Sequence, residues 1–147
     1  SNLECPYVKR HYGSNNMQTT QKFAKSKNVI WITVISSAEG KQGYIQPNDA
    51  LNTFASFGSF PDHILVDENG DLGKKFNAKT TPHIFIADKN KDIVYQGAID
   101  DAGGTRFWTT DLNQSINFVK KVVNDIKSNK PLSVSKTRPY GCSVKYG

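Results

Sequence analysis

The chain has 147 residues, with 19 Lys and Arg against 13 Asp and Glu for a net charge of +6, 37% hydrophobic residues, 11 Gly, 6 Pro and 2 Cys. That length supports one ordinary core without disulfide or metal staples, and the composition excludes fibrous, collagen-like and disulfide-dense classes. The longest apolar stretch, Val29 to Ile35, falls far short of the roughly 20 residues of a membrane span, and cations scattered singly or in pairs form no stripe that would track phosphates.

A soluble chain is therefore expected, with no membrane span and no nucleic-acid partner. No leader is visible, but a processed chain has already lost one, so cytoplasmic and periplasmic or secreted sites both stay open.

In chain order, Pro6 suits the first position of a helix, where its missing N–H costs nothing, and this puts Cys5 at the cap. Gly13-Ser14-Asn15-Asn16 interrupts the pattern, and Ser14 or Asn15 can cap a second helix to about Lys25 with Met17, Thr20, Phe23 and Ala24 inward. Val29 to Ile35, β-branched and nearly non-alternating, predicts a strand covered on both faces, with Trp31 in the core.

Pro47 opens an amphipathic helix carrying Ala50, Leu51, Phe54, Ala55 and Phe57. Ile64-Leu65-Val66 is a short buried strand, and Asn69-Gly70 turns into a brief helical piece ending near Phe76. Ile84-Phe85-Ile86 and Ile93-Val94-Tyr95, separated by a polar tetrapeptide, read as an antiparallel hairpin.

Asp111 with Gln114 three residues on has the form of a capping box, opening a helix whose buried face is Leu112, Ile116, Val119, Val123 and Ile126. Pro131 and Pro139 keep the remainder extended. The expected division is a domain over residues 1–130 and an extended C-terminal tail over 131–147 that carries Cys142. The element order predicts an α/β fold with a mixed central sheet flanked by helices. A strand that should precede the first helix has no counterpart in Ser1 to Glu4.

Chemistry is expected at Cys5. A sulfur at a helix start lies near unpaired N–H groups and the positive end of the dipole, which favours thiolate over thiol. Lys9, Arg10 and His11, within the next two turns, can add to this. The plainer alternative is a small buried hydrophobe. For Cys142, 137 positions later in Tyr140-Gly141-Cys142-Ser143, three outcomes stay open: a permanent bridge to Cys5, a resolving thiol that pairs only after Cys5 is oxidised, or an unrelated free thiol.

The stretches Glu4-Cys5-Pro6-Tyr7-Val8-Lys9-Arg10-His11-Tyr12, Gly40-Lys41-Gln42-Gly43-Tyr44, Lys79-Thr80-Thr81-Pro82-His83, Tyr95 to Asp101 and Tyr140 to Tyr146 span nearly the whole chain. Together they resemble the thioredoxin-like superfamily, and within it the redoxin branch grouped with alkyl hydroperoxide reductase and thiol-specific antioxidant proteins. The resemblance implies a thioredoxin-like fold lacking its first strand, Cys5 as attacking thiol, Pro82 as a cis-proline facing it, and a Thr81 backbone beside the sulfur able to pair with an extended substrate. Pro6 and His83 flank that substrate position, and His83 is a candidate proton carrier or a satisfied strand-edge histidine.

Two departures matter. Val8 replaces the second cysteine of Cys-x-x-Cys, so the resolving thiol must be Cys142 or come from another molecule. Asn2 stands where the peroxide-reacting type carries Thr or Ser, which counts against a peroxidase.

The expected function is a thiol-based oxidoreductase, Cys5 attacking a disulfide or peroxide and Cys142 resolving. The expected partners are a thiol reductant, a disulfide-bearing protein or a small peroxide, with a neighbouring subunit if one fills the strand position. The alternative is a non-enzymatic binding module with a structural Cys5–Cys142 disulfide. No cofactor or metal is expected, since His11, His63 and His83 are scattered and make no ligand spacing with the cysteines. Asp100-Asp101 is either a carboxylate source near the site or a pair of solvated loop acids. Phe107-Trp108 covers apolar surface or forms part of a partner groove.

Overall fold

Pro6 starts the first helix as its ring geometry dictates, and the computed structural model, which describes residues 1–147, places α1 at Pro6–Gly13 and α2 at Asn16–Ser26. Asn15 divides them by taking a left-handed conformation (φ 65°), and it caps α2 without a side-chain bond. There follow β1 (Ile32–Ile35), α3 (Ala50–Ser56) after a 3-10 turn at Pro47–Asp49, β2 (His63–Val66) and α4 (Asp71–Lys75). The chain continues through β3 (Thr80–Thr81), β4 (Ile84–Ala87), β5 (Ile93–Gly97), α5 (Phe118–Lys127) and β6 (Cys142–Ser143). No helix is long and apolar enough to cross a membrane.

The result is a mixed α/β fold, but its strands form three two-stranded ladders in place of one continuous sheet. β1 runs parallel to β2, β4 and β5 form the expected antiparallel hairpin, and β3 pairs antiparallel with β6. The Ile35 carbonyl takes the Asp67 N–H on the β2 side. Successive carbonyls alternate, so that of Val34 points to the opposite edge, where the Ser1 amino group donates to it. The chain thus starts along the edge of β1 that β2 leaves free, and no strand of this chain joins β1 to β4.

The core lies where Val119, Val122 and Val123 of α5 meet Ile35, Phe54, Tyr95 and Ile99. Two expectations are corrected here. The predicted seven-residue strand shortens to Ile32–Ile35 and is not covered on both faces: Thr33 and Ile35 are buried, Ile30 and Ile32 exposed, and Trp31 only half-buried. On that face Ile32 and Leu65 stay exposed and Val34 is half-buried. The last helix also starts later than the capping pattern suggests. Asp111 accepts from Asn113 N and closes only a 3-10 turn at Leu112–Gln114, whereas Asn117 Oδ1 accepts from Lys120 N (3.0 Å) and caps α5, leaving Ile116 exposed between them.

Residues 131–147 are extended, and they are bound along much of their length. Thr137 N donates to Gln96 O (3.1 Å), Thr137 Oγ1 accepts from Ala98 N (2.9 Å), Ala38 N donates to Lys145 O (2.9 Å), and Tyr146 Oη donates to Ala78 O (2.8 Å). This strap crosses the edge of β5 and then β3, and it brings Cys142 back to the start of α1.

Candidate functional site

Cys5 is the N-cap of α1 with extended backbone (φ −70°, ψ 126°), and its side chain is 0% exposed. Its Sγ lies 3.3 Å from Thr81 O and 2.6 Å from Cys142 Sγ, both cysteines being free thiols. The Thr81–Pro82 peptide is cis. The short β3–β6 ladder sets Cys142 directly opposite Thr81, whose carbonyl also lies against Cys5 Sγ, so the two sulfurs meet at Thr81. Gly141 makes that approach possible: it has φ 147°, and a Cβ there would collide with the Thr81 carbonyl.

Burial opposes ionisation of Cys5. The Cys142 thiol, the Thr81 side chain and the N–H groups of Val8 and Cys142 outweigh it, and the Cys5 thiol is held below its ordinary pKa. The Thr81 hydroxyl is buried beside the sulfur and has no other hydrogen-bond partner. Cys142 goes the other way. Burial first, then its position as donor to Cys5 and the charge on Cys5, push it up to about 11, against a small opposing pull from Tyr7 N–H. The two sulfurs are therefore offset, Cys5 the more readily ionised of the pair and Cys142 the less.

The positive charge expected from the flanking basic residues is not delivered by His11. That ring is fully buried, and burial followed by the charge of Arg10 lowers its pKa to about 4, so it is neutral near pH 7. Arg10 spends its guanidinium on Phe107 O (3.0 Å) and Thr110 O (2.7 Å). His83 turns onto Phe85, with centroids 4.4 Å apart, and its Nδ1 accepts from Lys79 N (3.1 Å). Burial and Lys79 hold it neutral as well, with a pKa lowered to about 4.

Asp100 is not a solvated loop acid. It is 1% exposed, and its carboxylate accepts from Asn16 Nδ2 (3.2 Å), Ala102 N (3.0 Å) and Tyr140 Oη. Burial raises its pKa, with these bonds pulling in the opposite direction. Beside it Tyr7, Phe107, Trp108 and Tyr140 form an aromatic cluster, with Tyr7 4.9 Å from Phe107 and 5.1 Å from Trp108. Phe107 is buried there and Trp108 stays half-exposed. Sequence reasoning marks the segment from Tyr140 to Tyr146 but gives Tyr140 itself no role, because its partners lie far away in the chain. No three His, Cys, Asp or Glu side chains converge as a metal site would require.

No family model matches the chain, and no curated protein does. The fold is similar to that of a hypothetical protein from Sinorhizobium meliloti 1021, at 19% identity and a TM-score of 0.78 over 99% of this chain and 76% of that one. It is similar also to an uncharacterized conserved protein from Geobacillus kaustophilus, at 21% identity and a TM-score of 0.80 over 97% of this chain and 72% of that one. At such identities the likeness concerns the fold alone.

Proposed function

We propose that this chain is a thiol-based oxidoreductase with a thioredoxin-like fold of the redoxin type. The observation that carries the reading is the meeting of Cys5 and Cys142, sulfurs 2.6 Å apart, at the start of α1 beside the cis Thr81–Pro82 bond. The Cys5 thiolate attacks one sulfur of a substrate disulfide, forming a mixed disulfide and releasing the first thiolate. Cys142, losing its proton as it attacks, strikes Cys5 Sγ, forms the Cys5–Cys142 bond and expels the second thiolate. Two electrons from an external thiol reductant reset the pair.

A disulfide fits this site better than a peroxide. Asn2 is committed to Glu4 N, which it accepts at 2.8 Å, and to Gln42 O, to which it donates at 3.3 Å, so it brings no hydroxyl to a peroxide oxygen. A second reading, a binding module with a permanent Cys5–Cys142 bond, draws on the complete burial of Cys5 beneath the bound tail.

The pH dependence of alkylation after mild reduction separates the two. The oxidoreductase requires Cys5 to react with a midpoint below the ~8.5 of an ordinary thiol. A midpoint at or above that value, or no reaction short of unfolding, favours the module.

A further inference from the structure

Asn16, His11 and Asp100 form a buried polar socket that is complete only when the tail is bound. Asn16 Nδ2 lies 3.0 Å from His11 Nδ1 and 3.2 Å from Asp100 Oδ2, so the one amide group donates to both. With Nδ1 accepting, the neutral imidazole carries its proton on Nε2. The socket then offers one donor, His11 Nε2–H, and one acceptor, Asp100 Oδ1, toward a single point. The Tyr140 hydroxyl stands there, 3.3 Å from Nε2 and donating to Oδ1. A phenol is suited to accept from the first while donating to the second.

The cost of vacating this socket is built in. With the tail in place Asp100 and His11 are both out of water, and lifting Tyr140 removes the hydroxyl partner of His11 Nε2 and one of the three donors to the Asp100 carboxylate. Two residues further on, Cys142 lies on Cys5, so the contact that satisfies the socket also covers the attacking sulfur. Any reagent that reaches Cys5 must wait until this part of the strap lifts.

We propose that Tyr140, held by Asp100 and His11, is a latch and positioning residue: latched, it holds Cys142 on Cys5 and shields the attacking thiol; unlatched, it exposes Cys5 to substrate. Its role in turnover rests on the redox reading above, while its role in shielding Cys5 does not.

The test is Cys5 alkylation by iodoacetamide in the full chain carrying Cys142→Ser, with and without Tyr140→Phe. That change keeps the ring in its aromatic cluster and removes only the hydroxyl. Loss of a hydrogen bond to a charged group predicts Cys5 reacting about ten- to a hundred-fold faster. Amide exchange at residues 142 and 144 should accelerate by the same factor while Val122 and Val123 stay protected, a pattern that general destabilisation does not produce.

Asp100→Asn, which keeps an acceptor but loses the charge, should give an intermediate rate, and it decides the matter if Tyr140→Phe fails to fold. Equal alkylation rates with and without the hydroxyl, or equal acceleration of the Val122 and Val123 amides, overturn the latch. The redox reading is decided separately, by the glutathione equilibrium of the chain with both cysteines. There the latch predicts Tyr140→Phe lowering the effective concentration of Cys142 toward Cys5 by the same factor. If that chain forms no Cys5–Cys142 bond at all, the oxidoreductase falls and the alkylation ratio still judges the latch.

Discussion

Gly141 rests its bare α-carbon against the Thr81 carbonyl, the same carbonyl that lies 3.3 Å from Cys5 Sγ. Tail, cis-proline turn and helix start therefore meet at one backbone oxygen. Replacing Gly141 by Ala adds a methyl with no room and asks a positive φ of an L residue, a strain on the order of 1–3 kcal/mol. The β3–β6 pair should separate, and Cys142 should leave Cys5. Glutathione titration of Gly141→Ala should show a much weaker intramolecular disulfide, with the melting temperature lowered only modestly, because the α5 core is untouched.

Thr81 offers a way to separate tuning of the sulfur from stability. Its hydroxyl is buried beside Cys5 with no other hydrogen-bond partner, and the Thr81 side chain pulls the Cys5 pKa down. Thr81→Val keeps the shape and removes that influence. The Cys5 pKa should rise, read from the pH dependence of its cysteine Cβ chemical shift, and stability to urea should hold or increase. A fall in the Cys5 pKa would contradict the assignment.

Acid should loosen the socket. His11 is neutral in the fold with a pKa lowered to about 4, against 6.5 unfolded, so between these values the unfolded chain binds the extra proton. Its contribution is complete above pH 6.5 and is lost as pH falls toward about 4. Linkage gives about 2 kcal/mol lost from this group between about pH 7 and pH 5. Urea unfolding at those two pH values measures it, and His11→Gln, which cannot titrate, should flatten the difference. His83 titrates in the same direction from a less buried position and adds a smaller slope.

Local chemistry was legible where a short segment decides its own structure. Pro6 announced α1 and the cap at Cys5, and the polar tetrapeptide between Ile86 and Ile93 announced the β4–β5 hairpin. Apolar runs were less informative, since β-branched residues such as Ile30 and Ile32 have the same pattern whether or not another layer covers them. Asp111 and Asn117 are both good caps, and which of them opens α5 depends on Asn117 also reaching Thr20 Oγ1 at 2.8 Å, a contact across 97 residues. Asp100 and His11 look like surface groups until Tyr140 arrives from 40 and 129 positions away. Spacing alone could not choose among the three outcomes for Cys142, because its place is set by the β3–β6 ladder.

The most direct test of the account is non-reducing peptide mapping after one equivalent of glutathione disulfide, with the unsubstituted chain beside Cys142→Ser. The account predicts a Cys5–Cys142 disulfide in the first and a glutathione adduct on Cys5 in the second. Cys5 unmodified in both would contradict it.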